Sequence, residues 1–147
     1  MPNLEDAISL AAKAHRGQKD KAGAPYILHP LRVMLRMETE TDRIVAVLHD
    51  VLEDSGVTVR DLQKAGYSAE IVEAVQYLTR AKEEEYDQFI ERVKGNTLAV
   101  KIKIADLEDN LDFERIKEPD QNDLRRYGKY RRALASLRKV QDLSAAD

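Results

Sequence analysis

Three histidines occur in this chain of 147 residues, and two of them stand among groups that bind divalent cations. His29 lies in Pro25-Tyr26-Ile27-Leu28-His29-Pro30, while His49 is followed at once by Asp50 and soon by Glu53 and Asp54. Far downstream, Asp106 falls in the largely apolar run Ile102-Lys103-Ile104-Ala105-Asp106-Leu107. Imidazole nitrogens and carboxylate oxygens suit a borderline-hard divalent cation, and a carboxylate among apolar neighbours needs a partner to offset its burial. Lys103 precedes Asp106 by about one turn and Asn110 follows it by one. An ammonium, a carboxylate and an amide on one stripe can complete a metal site and hold a phosphate.

Helices have to bring these groups together. Thr41 or Asp42 is expected to cap a helix that continues to about Asp54. At about 100° per residue with His49 at zero, Glu53 falls near about 40°, Asp50 near about 100° and Asp54 near about 140°. The apolar Ile44, Val45, Val47, Leu48, Val51 and Leu52 take the opposite arc. Exposed acids at a helix end are common, yet they oppose the helix dipole there, and a cation nearby would compensate.

The remaining periodicity is also helical. Asn3 caps a first helix to about Ala14, and Gly17 and Gly23 mark 16–24 as a loop. A second helix is expected over about 26–37, beginning properly near His29 because Pro30 suits a first turn. Thr58 to Lys64 is a short helix stopped by Gly66, Ser68 starts another through Leu78, and Tyr86 to Lys94 forms a further one. In Leu98 to Asp112 the alternation of Val100, Ile102 and Ile104 with two lysines resembles a strand. Its length and the spacing of Leu98, Ile102, Ala105 and Leu111 favour helix. A last helix spans about 122–140 with Leu124, Tyr127, Tyr130, Leu134 and Leu137 on one side, and the final four residues are expected to fray. His15 and Tyr26 read as packing residues, and the basic run from Arg125 to Arg132 as a solvated face.

Composition narrows the class. The length suits one domain over 1–147, and a net charge of −3 argues against a protein that coats nucleic acid. Without cysteine there are no disulfides, thiolate ligands or cysteine nucleophiles, which suits a reducing cytoplasm. No secretory signal or membrane-length apolar run is visible. No pattern in the chain specifies an oligomeric state.

His29, then His49-Asp50, then Asp106 resembles the H…HD…D signature of the HD-domain metal-dependent phosphohydrolases. Ala14-His15-Arg16-Gly17-Gln18, Gly23-Ala24-Pro25-Tyr26-Ile27-Leu28-His29-Pro30, Leu48-His49-Asp50-Val51-Leu52-Glu53-Asp54 and Lys103-Ile104-Ala105-Asp106 are similar to the hydrolase domain of the Rel/SpoT alarmone enzymes and to stand-alone small alarmone hydrolases of the Mesh type. The likeness covers about 4–112. It implies an all-α, single-domain HD-type helical bundle in which His29, His49, Asp50 and Asp106 ligate one divalent cation, typically manganese. Glu53 and Asp54 would position and activate water, while Lys21 and Asn110 would contact substrate; Lys103 and Arg16 are further candidate substrate contacts through their charge alone. The implied reaction removes the 3′-pyrophosphate of ppGpp or pppGpp. No segment is long enough for the family's synthetase and regulatory domains, so hydrolysis without synthesis is expected.

The loop departs from that family. Asp20 stands where an arginine usually packs on guanine, Ala22 where serine is favoured, and Leu107 replaces the arginine after the Asp106 position. Aspartate offers neither a plane for stacking nor positive charge. Another nucleotide or phosphorylated metabolite is therefore the alternative substrate. A nucleotide-binding module without turnover is the alternative class, opposed by the Glu53-Asp54 pair.

Overall fold

The computed structural model describes residues 1–53, 55–116 and 118–145. Among them are eight α-helices and no strand, so the all-α expectation holds. In chain order these are α1 (Leu4–Ala14), α2 (Leu28–Leu35), α3 (Glu40–Leu48), α4 (Val59–Ala65), α5 (Ala69–Tyr77), α6 (Tyr86–Val93), α7 (Thr97–Asn110) and α8 (Gln121–Ala145), with a 3₁₀ turn at Phe113–Arg115 before α8. No helix among the described residues is long and apolar enough to cross a membrane.

Most helix starts follow side-chain caps. Asn3 and Asp6 exchange side chain–backbone hydrogen bonds at the start of α1, and Thr58 and Asp61 do the same for α4. Ser68 caps α5, and Asn96 accepts from Ala99 to start α7. Gly66 ends α4 with φ 96°, a left-handed conformation costly for residues with a Cβ.

Helix α7 explains its own ambiguous sequence. It packs against α2, α3, α5, α6 and α8, so Val100, Ile102, Ile104, Ala105 and Leu107 are all buried. A helix covered on most sides loses the one-sided stripe that marks an amphipathic helix. Its central place also carries Asp106 into the interior, where α2 and α3 bring the histidines.

Three expectations need correction. The helix carrying the HD pair is capped by Thr39 rather than Thr41 or Asp42, and it ends at Leu48 rather than near Asp54. The Ala46 carbonyl, which would accept from Asp50 in a continued helix, instead accepts the His49 imidazole and, at 3.4 Å, the His49 amide. Tighter i to i+3 bonds from Val51 to Leu48 and from Glu53 to Asp50 then bend the chain into turns. His49, Asp50 and Glu53 therefore converge from a helix end and its following turns, not from one helical face; Asp54 lies outside the described residues. Leu124 is 56% exposed and not part of the core, whereas Tyr127, Leu134 and Leu137 are buried. Finally, α8 runs through Ala145, further than the expected 122–140.

Candidate metal centre

Two imidazoles meet at the centre of the helical packing. His29 sits in the first turn of α2 and His49 caps the end of α3, with ring centroids 5.2 Å apart in an edge-on arrangement. His29, His49 and Asp50 each place one ligand atom within 4.8 Å of the others. Asp106 joins them from α7: its Oδ1 lies 2.7 Å from His29 Nε2 and 3.4 Å from His49 Nε2. His29, His49 and Asp50 thus form one cluster, and Asp106 adjoins both of its histidines.

The orientation of His49 is fixed by chemistry. Its Nδ1 is 2.6 Å from the Ala46 carbonyl, which can only accept, so Nδ1 carries a proton. Nε2 is buried with no hydrogen bond among the described residues, although Asp50 Oδ2 is only 3.0 Å away. The two atoms are close but not aimed at each other. An orphaned buried imidazole nitrogen beside two carboxylates is what a divalent cation between them would satisfy. The donor set of two nitrogens and two oxygens fits such an ion.

Each carboxylate has its own support. Asp106 Oδ2 accepts from Lys103 Nζ at 2.7 Å, and Oδ1 accepts from Asn110 Nδ2 at 3.1 Å. Asp50 Oδ2 accepts the hydroxyl of Tyr26 at 2.5 Å. Tyr26 thus does more than pack beneath the loop, and burial together with the Asp50 charge keeps its phenol protonated far above the usual range. Burial alone would favour neutral carboxyls, but His49 holds Asp50 well below its ordinary range, and Lys103 with His29 does so for Asp106. Burial likewise opposes charge on both histidines. The hydrogen bonds of His29 to Asp106 and Asp109, and the Asp50 and Asp106 charges beside His49, outweigh it and raise both.

Glu53 stands at the rim of this cluster. It lines an open cavity of about 410 Å³ with His15, Gln18, Lys19, Tyr26 and Asp50, and Oε1 accepts the Arg80 amide at 3.2 Å. Burial, reinforced by the Asp50 charge, raises its pKa above that of a free glutamate. A carboxylate poised in that direction suits proton transfer.

A second cavity, of about 320 Å³, adjoins the first through Tyr26 and Lys19. Lys21, Asn110, Arg115 and Arg126 line it together with Asp20, Asp112 and Tyr130. Lys21 and Asn110 are therefore brought to one cavity, and Lys103 reaches the metal cluster through Asp106. Arg16 is exposed beyond α1 and lines neither cavity. Helix α8 borders the cavity through Arg126 and Tyr130, so part of the basic run lies at the site and not on a solvated face.

The loop carrying Asp20 has an internal reason for that residue. Asp20 Oδ1 accepts the Ala24 amide at 2.9 Å, while the Asp20 amide bonds the Ala24 carbonyl and Tyr26 bonds Gln18. Gly17 and Gly23 supply positive φ at its two ends. Asp20 closes the loop and also places a carboxylate at the cavity.

Two residues at the site carried no sequence signal of their own. Asp109, on α7, bonds His29 Nδ1 at 2.6 Å, and Arg115 bonds Asp109 at 3.0 Å. Asp109 is one of two adjacent acids, Glu108 and Asp109, and only the packing of α2 on α7 distinguishes it.

The sequence profile of the HD domain matches residues 7–126 of the chain, spanning both histidines and Asp106. The chain belongs to the HD domain family. Among similar proteins, the bifunctional (p)ppGpp synthase/hydrolase SpoT of Escherichia coli K12 is 32% identical over 133 residues, covering 80% of this chain and 19% of SpoT. The guanosine-3′,5′-bis(diphosphate) 3′-pyrophosphohydrolase of Aquifex aeolicus is 32% identical over 120 residues, or 74% of this chain and 17% of that protein. The chain thus spans about a fifth of the length of these relatives. A solved structure, of a metazoan ortholog of SpoT that hydrolyzes ppGpp and plays a role in starvation responses, superposes with a TM-score of 0.76 at 25% identity. It covers 91% of this chain and 84% of that one.

Proposed function

We propose that the chain acts as one HD phosphohydrolase domain over 1–147 that removes the 3′-pyrophosphate of guanosine 3′,5′-bis(diphosphate), giving GDP and pyrophosphate. The observation that carries this reading is the buried Nε2 of His49, which makes no hydrogen bond among the described residues and lies beside Asp50, Asp106 and His29 in a chain of the HD domain family. His29, His49, Asp50 and Asp106 would hold one divalent cation, with Mn²⁺ the favoured ion. When bound, that ion supplies Lewis acidity and lowers the pKa of water at the site.

The chain's own residues do the rest. Glu53, at the cluster's rim with a raised pKa, accepts the proton of the attacking water; Asp54 follows it in sequence and is proposed as its partner. Lys103 neutralises the Asp106 carboxylate and presents positive charge beside the phosphoryl group. Lys21 and Asn110, with Arg126 from α8, line the cavity where the nucleotide would lie. Lys21 is 61% exposed on its side chain and only 3.6 Å from Asp123, so it can turn toward an arriving phosphate at little cost.

A second reading, another nucleotide or phosphorylated metabolite as substrate, is favoured by the carboxylates of Asp20 and Asp112 in that cavity. Product analysis separates the two. The purified protein with Mn²⁺ is offered ppGpp and a panel of ordinary nucleotides, and products are resolved by anion-exchange chromatography. GDP and pyrophosphate from ppGpp, with the panel unchanged, is the expected result. Turnover of a panel member and none of ppGpp would move the substrate assignment.

A further inference from the structure

We infer that Asp109 is a positioning residue for His29, held in that role by Arg32 and Arg115. The inference rests on the metal-centre reading above, because what Asp109 controls is how His29 meets a cation. Asp109 lies near the end of α7 and is 2% exposed. Its Oδ2 accepts from His29 Nδ1 at 2.6 Å and from Arg32 Nη2 at 3.1 Å. Its Oδ1 accepts from Arg32 Nε at 2.8 Å and Arg115 Nη1 at 3.0 Å. Arg115 also donates through Nη2 to the Asp109 carbonyl at 2.5 Å.

Four side-chain donors therefore fix one carboxylate against rotation, and they come from two segments, α2 and the 3₁₀ turn after α7. Both of its oxygens already accept from guanidinium groups, which can only donate. An ionised carboxylate can only accept, so Nδ1 of His29 must carry a proton. Nε2 is then the nitrogen that gives up its proton to offer a lone pair to a cation, and it is the one that faces Asp106 and Asp50. A carboxylate on the far nitrogen also makes the imidazole a stronger donor.

The two histidines are held by different means. His49 Nδ1 is bonded to a neutral main-chain carbonyl, whereas His29 Nδ1 is bonded to a buried carboxylate that a point substitution can alter. Arg32 is one turn from His29 on α2, so the same helix supplies the ligand and one arm of the clamp. Asp109 also braces α2 against α7. A brace alone would affect folding stability in the presence or absence of metal; a positioning residue changes metal affinity in a protein that is still folded.

The test is Mn²⁺ titration by calorimetry of the wild-type protein and Asp109→Asn, with circular dichroism of both metal-free proteins. Asn keeps the shape and removes the charge. The inference predicts a folded Asp109→Asn protein whose Mn²⁺ affinity is about 10- to 100-fold weaker. A folded variant with unchanged affinity overturns it and leaves the metal centre standing; a wild-type protein that binds no metal overturns both. Should Asp109→Asn fail to fold, the wild-type protein decides. With diamagnetic Zn²⁺ bound, long-range ¹H–¹⁵N correlation spectra should show His29 protonated at Nδ1 and ligated through Nε2. The opposite tautomer would overturn the inference.

Discussion

Lys103 and Asp106 are bonded one turn apart on α7, Nζ to Oδ2 at 2.7 Å, and the same carboxylate accepts His29 through Oδ1. Asp106 is the shared acceptor of an ammonium, an imidazole and the Asn110 amide, all drawn into a nearly dry interior. Asp106→Ala should leave that charge uncompensated and cost about 3–5 kcal/mol of stability. Urea unfolding in chelator measures this loss. The same variant should bind no divalent ion in calorimetry, and full stoichiometric binding would remove Asp106 from the ligand set.

The metal-free protein should lose stability as pH rises. His29 and His49 have folded-state pKa values above the ordinary histidine value, so their ionised pairing with Asp50, Asp106 and Asp109 contributes fully below the unfolded value of about 6.5. That contribution disappears as pH passes upward through the raised folded values. Binding a cation requires His29 and His49 each to give up the Nε2 proton to solution, so apparent metal affinity should climb over the same window. Thermal unfolding from pH 6 to 9, with and without Mn²⁺, would show a falling Tm only in the metal-free series. A metal-free Tm that rises with pH would reverse the sign of the argument.

Glu53→Gln is isosteric and leaves the Arg80 amide an acceptor. It should keep the metal and lower kcat by about 10²- to 10⁴-fold, the usual worth of a positioned general base. Stopped assays on metal-saturated protein provide the comparison. An unchanged kcat would place proton transfer elsewhere.

Asp20→Asn retains an oxygen for the Ala24 amide and removes a negative charge from the cavity. KM for ppGpp should fall several-fold with kcat little changed. Asp20→Arg, by contrast, would bring back a stacking cation while breaking the loop closure, so its effect combines a gain and a loss. A rise in KM for Asp20→Asn would mean that the carboxylate itself contacts substrate.

How much of this was legible in the sequence depends on whether a residue's surroundings are local. His29, His49, Asp50 and Asp106 were readable because metal-binding residue types stand out in a chain with only three histidines. The helix caps at Asn3, Thr58 and Ser68 were likewise local. The end of α3 was not: periodicity continues through Val51 and Leu52, and only the His49 imidazole on the Ala46 carbonyl ends the helix. Tyr26 and Asp109 act through partners 24 and 80 residues away, and no spacing rule reaches that far. Asp20 had a meaning as a departure from a family pattern, but its bond to Ala24 appears only once the loop is folded.

Metal dependence of pyrophosphate release tests the central claim most directly. Protein stripped by chelator is assayed on ppGpp, then titrated with Mn²⁺ while bound metal is counted on the same sample. Release that is absent without metal and saturates as one ion binds per chain is the predicted result. Release that proceeds undiminished in the stripped protein, or one bound ion with no release from ppGpp, would contradict it.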